Sequence, residues 1–558
     1  MRSLFHLPNW VYHLITFSVW SIVPGSWLYC AYFLTINFSL HHQLTNLLSI
    51  LPQPSRLLFS YALLELVFSI YYFFRAWTAQ KRLHRFNHEP EFMRESLERA
   101  ARSGLRTQAS IDRYPPCDDL KRSSRQAGSQ TRINDDQVSS VSSSSGFSSL
   151  ASSSSTAPST PPLSPSFGSV TELKPLAWDD PRAVDFRSHQ VLWFGNCKYS
   201  EIGRENLQEW ITWVLFNRPR SKSLRESAEA VLTDQICSLF EARAGAVLPP
   251  GYNPRLRTRV IRLTLDPIRV RAHPLALYVA TSTVSWTIKQ LLFRCEFVER
   301  KSGGKLKYLI RKPIGWDDQP VKSRTLPFVF IHGLGLGLIQ YTLFLNYLAN
   351  SSWARARPVM ILLQPSISLA FFDRQHLSPP SKEDMTADMT KAIERLGFSE
   401  TGFEILGHSY GTIVAGWIIK AMGSLVRRVC LIDPVCFCEW EGHVCHNFLY
   451  AEPLPGLERL LRYFLATELG IAKTLHRHFD WPANILWPTD LPKSSAVFLA
   501  GCDSILDAYR IHTYLKEYGM GDRIVLSPSA AHGQLIFEDK EPFRAIKAWI
   551  EGQSISMN

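Results

Sequence analysis

Phe403-Glu404-Ile405-Leu406-Gly407-His408-Ser409-Tyr410-Gly411-Thr412-Ile413-Val414 is the stretch on which the reading of this chain turns. Residues suited to a buried strand run into Gly-x-Ser-x-Gly, and an apolar stretch with helical character continues to Met422. A sharp turn between strand and helix leaves no room for side chains at its flanks, which suits Gly407 and Gly411. Such a turn lifts the serine hydroxyl above a sheet, where it is free to attack, so Ser409 is the candidate nucleophile. Outward from this elbow, β runs are expected at 308–311, 327–331, 359–363, 429–432, 496–500 and 524–526. Helices are expected near 383–396, 412–422, 506–518 and 542–550. Continuous apolar strands separated by helices imply an α/β domain, its sheet mostly parallel and covered on both faces.

From about Leu326 to the C-terminus, somewhat under half the chain, the sequence resembles the α/β-hydrolase fold superfamily, with a lipase- or esterase-like serine hydrolase as the nearest type. The resemblance rests on three features: the early loop Phe330-Ile331-His332-Gly333-Leu334-Gly335, the elbow, and a late acid and histidine. It implies a mostly parallel, doubly wound sheet with a cap insertion. It also implies that the backbone N–H groups of Leu334 and Tyr410 form an oxyanion hole, with Gly333 letting the loop come close. In this fold the acid and base follow the serine in that order. Asp503 after strand 496–500 and His532 after strand 524–526 fit, giving a Ser409, Asp503, His532 triad. Asp433, after strand 429–432, is the alternative acid, because the fold sometimes places its acid there. His408 is expected to pack into the fold or face the entrance, without a chemical role. A dinucleotide-binding reading of the glycines fails for want of a downstream acidic ribose partner.

The excursion from 434 to 488 is too long for a simple connection and is expected to form a cap. Phe448, Leu449, Tyr450, Leu460, Leu461 and Phe464 are its candidates for lining an acyl pocket. Cys436, Cys438, His443, Cys445 and His446 carry zinc-ligand chemistry at a spacing that matches no finger, so no metal site is assigned. No cofactor is expected.

The N-terminal part has a different composition. No Asp, Glu, Lys or Arg lies between Arg2 and Arg56, and Trp10–Phe38 is apolar apart from Pro24-Gly25. A second run, Leu57–Phe74, is broken only by Glu65 and ends at Arg75, Lys81, Arg82 and Arg85. Each approaches or exceeds the roughly 20 residues of a transmembrane helix. The pair reads as a membrane hairpin, and the basic exit places the remainder of the chain on the cytosolic side. Glu65 inside an apolar helix calls for a partner.

The domains expected are therefore a membrane anchor over 1–85, a juxtamembrane helical segment over 86–117, a Ser-rich disordered linker over 118–171, a mainly helical region over 172–304 and the α/β domain over 305–558. In the helical region Leu207, Trp210, Ile211 and Val214 recur at helical spacing, whereas the apolar run 278–293 is too polar at Thr281, Ser282, Thr283 and Lys289 for a membrane span.

With 61 Lys and Arg against 49 Asp and Glu, the chain carries a formal charge of +12, which suits an anionic lipid surface. No zinc-finger, basic-zipper or aromatic RNA-binding pattern supports nucleic acid as a partner. The 10 cysteines read as reduced thiols. Together these features lead to one expectation: a membrane-anchored serine hydrolase in the endoplasmic reticulum or another endomembrane, its catalytic domain facing the cytosol. Its expected partners are membrane lipid and a hydrophobic acyl substrate, an ester or thioester. An acyltransferase with the same triad and a catalytically inactive, membrane-tethered scaffold are the alternatives.

Overall fold

The computed structural model describes residues 8–38, 55–81, 88–105, 172–220, 227–453 and 456–553. The expected linker lies outside the described residues. Two compact units emerge, one made of Met1–His84 with Arg262–Asn558 and the other of Arg85–Ile261. This division differs from the boundaries drawn from composition: Arg262 onward belongs with the sheet, as does the N-terminal apolar pair, and the helix Pro90–Ala101 belongs with 172–261.

The first unit is built on an eight-stranded sheet. Its strands are β1 Val298–Lys301, β2 Lys307–Arg311, β3 Phe328–Ile331, β4 Val359–Leu363, β5 Phe403–His408, β6 Val426–Ile432, β7 Ser494–Ala500 and β8 Ile524–Ser527. Their spatial order is β1-β2-β4-β3-β5-β6-β7-β8. β2 runs antiparallel to both its neighbours, β1 and β4, and the pairs among β3 to β8 are parallel. Only β1, short and charged, escapes the apolar-run criterion. Along β3, Phe328 and Phe330 face one core while Val329 and Ile331 face the other. β7 alternates likewise, with Ala496, Phe498 and Ala500 against Val497 and Leu499. All these side chains are buried, as a sheet covered on both faces requires. Helices Lys382–Arg395 and Gly411–Met422 cover one face; Thr342–Asn350 and Glu541–Ile550 cover the other. The result is the doubly wound sheet that the resemblance implies, and this is an α/β-hydrolase fold.

The register sets the site. Ile331 of β3 pairs with Gly407 of β5, Ile432 of β6 with Phe498 of β7, and Ala500 of β7 with Ser527 of β8. The loops leaving β3, β5, β6, β7 and β8 therefore emerge along one carboxyl edge, where ligands of open parallel sheets bind. The excursion between β6 and β7 folds as short helices, among them Leu457–Leu461, Leu469–Arg477 and Trp481–Asn484, with π-helical turns at His446–Tyr450 and Arg462–Ala466.

Helices Asn9–Phe38 and Arg56–Ala79 are each long and apolar enough to cross a membrane, by length and composition. The first is continuous through Pro24, although proline has no N–H to offer the preceding turn. The two pair by stacking Phe33 on Phe59, ring centroids 3.8 Å apart, and by a 2.9 Å bond from Trp27 Nε1 to Ser69 Oγ. Among the described residues eight cysteines are free, Cys30, Cys197, Cys237, Cys295, Cys430, Cys436, Cys438 and Cys445.

The second unit is helical. Helix Arg204–Phe216 buries Leu207, Trp210, Ile211 and Val214 as its spacing predicts, and also Trp213 and Leu215. Arg243 lies in its interior and donates to the carbonyls of Ala101 and Ser103.

Candidate active site

Ser409 stands between β5 and helix Gly411–Met422 with φ at +51°, in the left-handed region that a serine adopts only under constraint. Such strain costs on the order of 1–3 kcal/mol and persists where the surroundings over-determine it. Three constraints do so here. The Ser409 N–H is held by the Ile432 carbonyl at 3.0 Å. Its carbonyl accepts from the Thr412 hydroxyl at 2.6 Å. Gly411 passes so close to β3 that a Cβ there would lie 2.2 Å from the Ile331 carbonyl oxygen.

The structure brings together the three residues that sequence placed far apart. Ser409 Oγ lies 2.9 Å from His532 Nε2, and His532 Nδ1 lies 2.5 Å from Asp503 Oδ2. The other Asp503 oxygen accepts from the N–H groups of Ile505 and Leu506 at 2.8 and 3.2 Å, which fixes the carboxylate plane. Burial opposes a charged His532, but the charge and hydrogen bond of Asp503, with Asp433 behind them, outweigh it and push His532 up to about 9.

Asp433, the alternative acid, does not hold the imidazole. Its Oδ1 accepts from Ala500 N–H at 2.9 Å and its Oδ2 from Gly533 N–H at 2.7 Å. It thereby ties the end of the acid-bearing strand to the residue after His532. Burial, joined by the charge of Asp503, raises the pKa of Asp433.

Leu334 and Tyr410 are the oxyanion donors expected from the resemblance. Among the described residues neither backbone N–H takes a hydrogen-bond partner. The loop approaches the nucleophile closely: a Cβ on Gly333 would lie 2.8 Å from Ser409 Cβ. Two residues not picked out from sequence hold this loop. Gln340 donates to the Leu334 carbonyl at 3.2 Å and accepts from Leu336 N–H at 2.8 Å. The Tyr341 hydroxyl accepts from Gly333 N–H at 2.7 Å and donates to His408 Nδ1 at 2.6 Å. His408 is therefore a buried strut between loop and elbow, kept uncharged by burial and by its neighbours His532 and His332. Nothing in the pattern around Gln340 and Tyr341 signals this; the contacts arise only when the 3-10 turn Gly337–Tyr341 folds back over the loop.

An apolar cluster packs beside the site. The cluster that Leu334, Leu336 and Tyr410 join draws Leu469, Ile471 and Ala472 from the excursion, with Leu465 and Leu475 packed on it. Phe448, Leu449, Tyr450, Leu460, Leu461 and Phe464 are not among its members. Phe68, Tyr72, Ala76 and Ala79 of the second N-terminal helix are.

No family model and no curated protein matches the chain. Among solved structures, a bacterial membrane phospholipase A is similar at 16% identity, covering 50% of this chain and 96% of its own, with a TM-score of 0.32. Naproxen esterase from Bacillus subtilis is similar at 11% identity over 49% of this chain and 96% of its own, TM-score 0.33. A serine hydrolase from Cycloclasticus zankles is similar at 14% over 46% and 98%, TM-score 0.32. The chemistry rests on the residues of this chain.

Proposed function

We propose that the chain is a membrane-anchored serine hydrolase that cleaves an ester or thioester of a lipid or other hydrophobic acyl compound. The observation that carries this reading is the unbroken chain from Ser409 Oγ through His532 to Asp503, beside two backbone donors that have no partner among the described residues. Ser409 Oγ attacks the acyl carbonyl while its proton passes to His532 Nε2. The carbonyl oxygen becomes an oxyanion that the N–H groups of Leu334 and Tyr410 stabilise. Collapse breaks the bond to the leaving alcohol or thiol, which takes the proton from His532 and leaves an acyl group on Ser409. Water, deprotonated by the same imidazole, then releases the acid and restores the serine. Asp503 stays ionised, accepts the Nδ1–H and stabilises the imidazolium. Asp433 holds the two loops in register.

The lipid part of the reading is supported by the two apolar N-terminal helices and by the apolar cluster that reaches Leu334 and Tyr410. The basic residues after the second helix orient the catalytic unit toward the cytosol of an endomembrane. The test is release of free acid from a long-chain ester dispersed in detergent, with an alcohol acceptor present. Wild-type protein is expected to release acid and the Ser409→Ala variant none. Acyl transfer to the alcohol in place of hydrolysis, or equal release by both proteins, would overturn the proposal.

A further inference from the structure

Helix Leu275–Arg294 belongs to the first unit, and its outward face is unlike those of the other sheet-covering helices. Val279, Val284, Trp286 and Leu291 are 48%, 46%, 59% and 54% exposed, and Ala276, Ala280, Thr283 and Thr287 lie exposed beside them. No charged residue is exposed on this helix before Arg294. A surface helix in water carries charged or polar residues on that face. Helix Lys382–Arg395 does so, exposing Lys391 and Glu394.

We propose that this face lies against lipid acyl chains, in the same bilayer that receives the N-terminal helices, so that the catalytic unit is seated in the membrane and not merely tethered to it. The inference rests on the membrane anchoring proposed above and adds to it a surface of the catalytic unit itself.

Three further observations support lipid as the occupant. Of the four polar residues that made this helix look unsuited to a membrane, Thr281, Thr283 and Lys289 are satisfied within the protein. Thr281, Thr283 and Thr287 donate to the carbonyls of Leu277, Val279 and Thr283 at 2.8–3.0 Å, and Lys289 pairs with Glu299 at 3.1 Å. Hydroxyls folded back on the helix are how such residues are accommodated in lipid. Second, the helix begins at Leu275 N–H, which is capped by both oxygens of Glu65 at 2.9 and 3.0 Å. The single carboxylate inside the second apolar helix thus finds its partner at an end that would otherwise be orphaned away from water.

The third observation concerns length. The second helix, Arg56–Ala79, packs onto the catalytic unit from Glu65 onward. Phe68, Tyr72 and Ala76 join its core, Tyr72 donates to the Arg271 carbonyl at 2.7 Å, and Gln80 exchanges two bonds with Ile268. The part before Glu65 rises only about 13 Å, under half of the roughly 30 Å hydrocarbon core. For this helix to cross a bilayer, its docked half and the helix it abuts must enter the bilayer too. The same cluster continues to Leu334 and Tyr410, which flank Ser409.

The test uses the full chain reconstituted in phosphatidylcholine vesicles. Single cysteines replacing Val279, Val284 and Leu291 are labelled with bimane, with Lys391→Cys as the water-facing control and the unsubstituted protein as blank. The three helix labels are expected to lose emission with chain-brominated lipid and to resist aqueous iodide, and the control to do the reverse. Iodide quenching at the three positions would overturn the inference by placing the face in water. Quenching by neither agent would overturn it by placing a second copy or another protein there. The readout needs no turnover, so it is independent of the hydrolase reading. Alkaline carbonate extraction separates the remaining case: release of the protein from membranes refutes the anchoring itself.

Discussion

Ser409, His532 and Asp503 form a hydrogen-bonded unit, so loss of any one removes most of what the three do together. Asp503→Asn is expected to lower kcat by on the order of 10⁴-fold, through loss of the correct tautomer. Asp433→Asn acts differently, because one of its two backbone donors, Ala500 N–H or Gly533 N–H, loses its acceptor. Its main cost is stability, about 1–3 kcal/mol, measurable as a lower denaturation midpoint. The pH profile is set by His532, which must be neutral to take the serine proton. Burial alone would favour the neutral form, but Asp503 reverses the balance and holds the imidazolium up to about 9. kcat/KM for a soluble ester is therefore expected to rise with pH on a limb well above the ordinary histidine value. In Asp503→Asn the limb should move down, since the charge that raised it is gone. A limb at the same pH in both proteins would assign the proton to another group. Ser409, Asp503 and His532 were legible because the fold fixes their order and each follows a recognisable strand. Gln340 and Tyr341 were not, since their roles come from a turn folding over the loop and leave no local pattern.

The second apolar helix shows what an element-level reading misses. Hydropathy marks Arg56–Ala79 as a span, and by that measure it is one. Its sequence also carries a second message, with Phe68, Tyr72, Ala76 and Ala79 at i, i+4, i+8 and i+11 forming the stripe that docks on the catalytic unit. In an all-apolar segment such a stripe has no contrasting polar face, so periodicity cannot reveal it. Tyr72→Phe removes the donor to the Arg271 carbonyl and is expected to cost about 1–3 kcal/mol. Tyr71, exposed on the same helix, serves as the control, and Tyr71→Phe is expected to leave the midpoint unchanged. The sheet, by contrast, was legible almost strand for strand, because β3 to β8 are apolar runs between turn residues. β1, Val298–Lys301, is exposed and charged and carries no such signal.

At the scale of the molecule the division of the chain is the main departure from the sequence reading. Composition marks breaks where charge and serine content change. The compact units instead follow contacts, which join Met1–His84 to Arg262–Asn558 across the intervening sequence. A chain lacking Met1–His84 loses part of its core, so it is expected to accumulate as insoluble protein. Recovery of a soluble, active truncated protein would refute that role for the second helix. Orientation has its own test: Asn350 is exposed and opens the sequon Asn350-Ser351-Ser352. A cytosolic catalytic unit is expected to leave it without glycan, and a glycan there would put the unit in the lumen. The central claim is that Ser409 is an activated nucleophile. The most direct measurement of it is covalent labelling of the detergent-solubilised protein by a fluorophosphonate, with the modified residue located by mass spectrometry. Labelling on Ser409 that is lost in His532→Ala is the expected result; a folded wild-type protein that takes no label, or takes it elsewhere, would contradict the account.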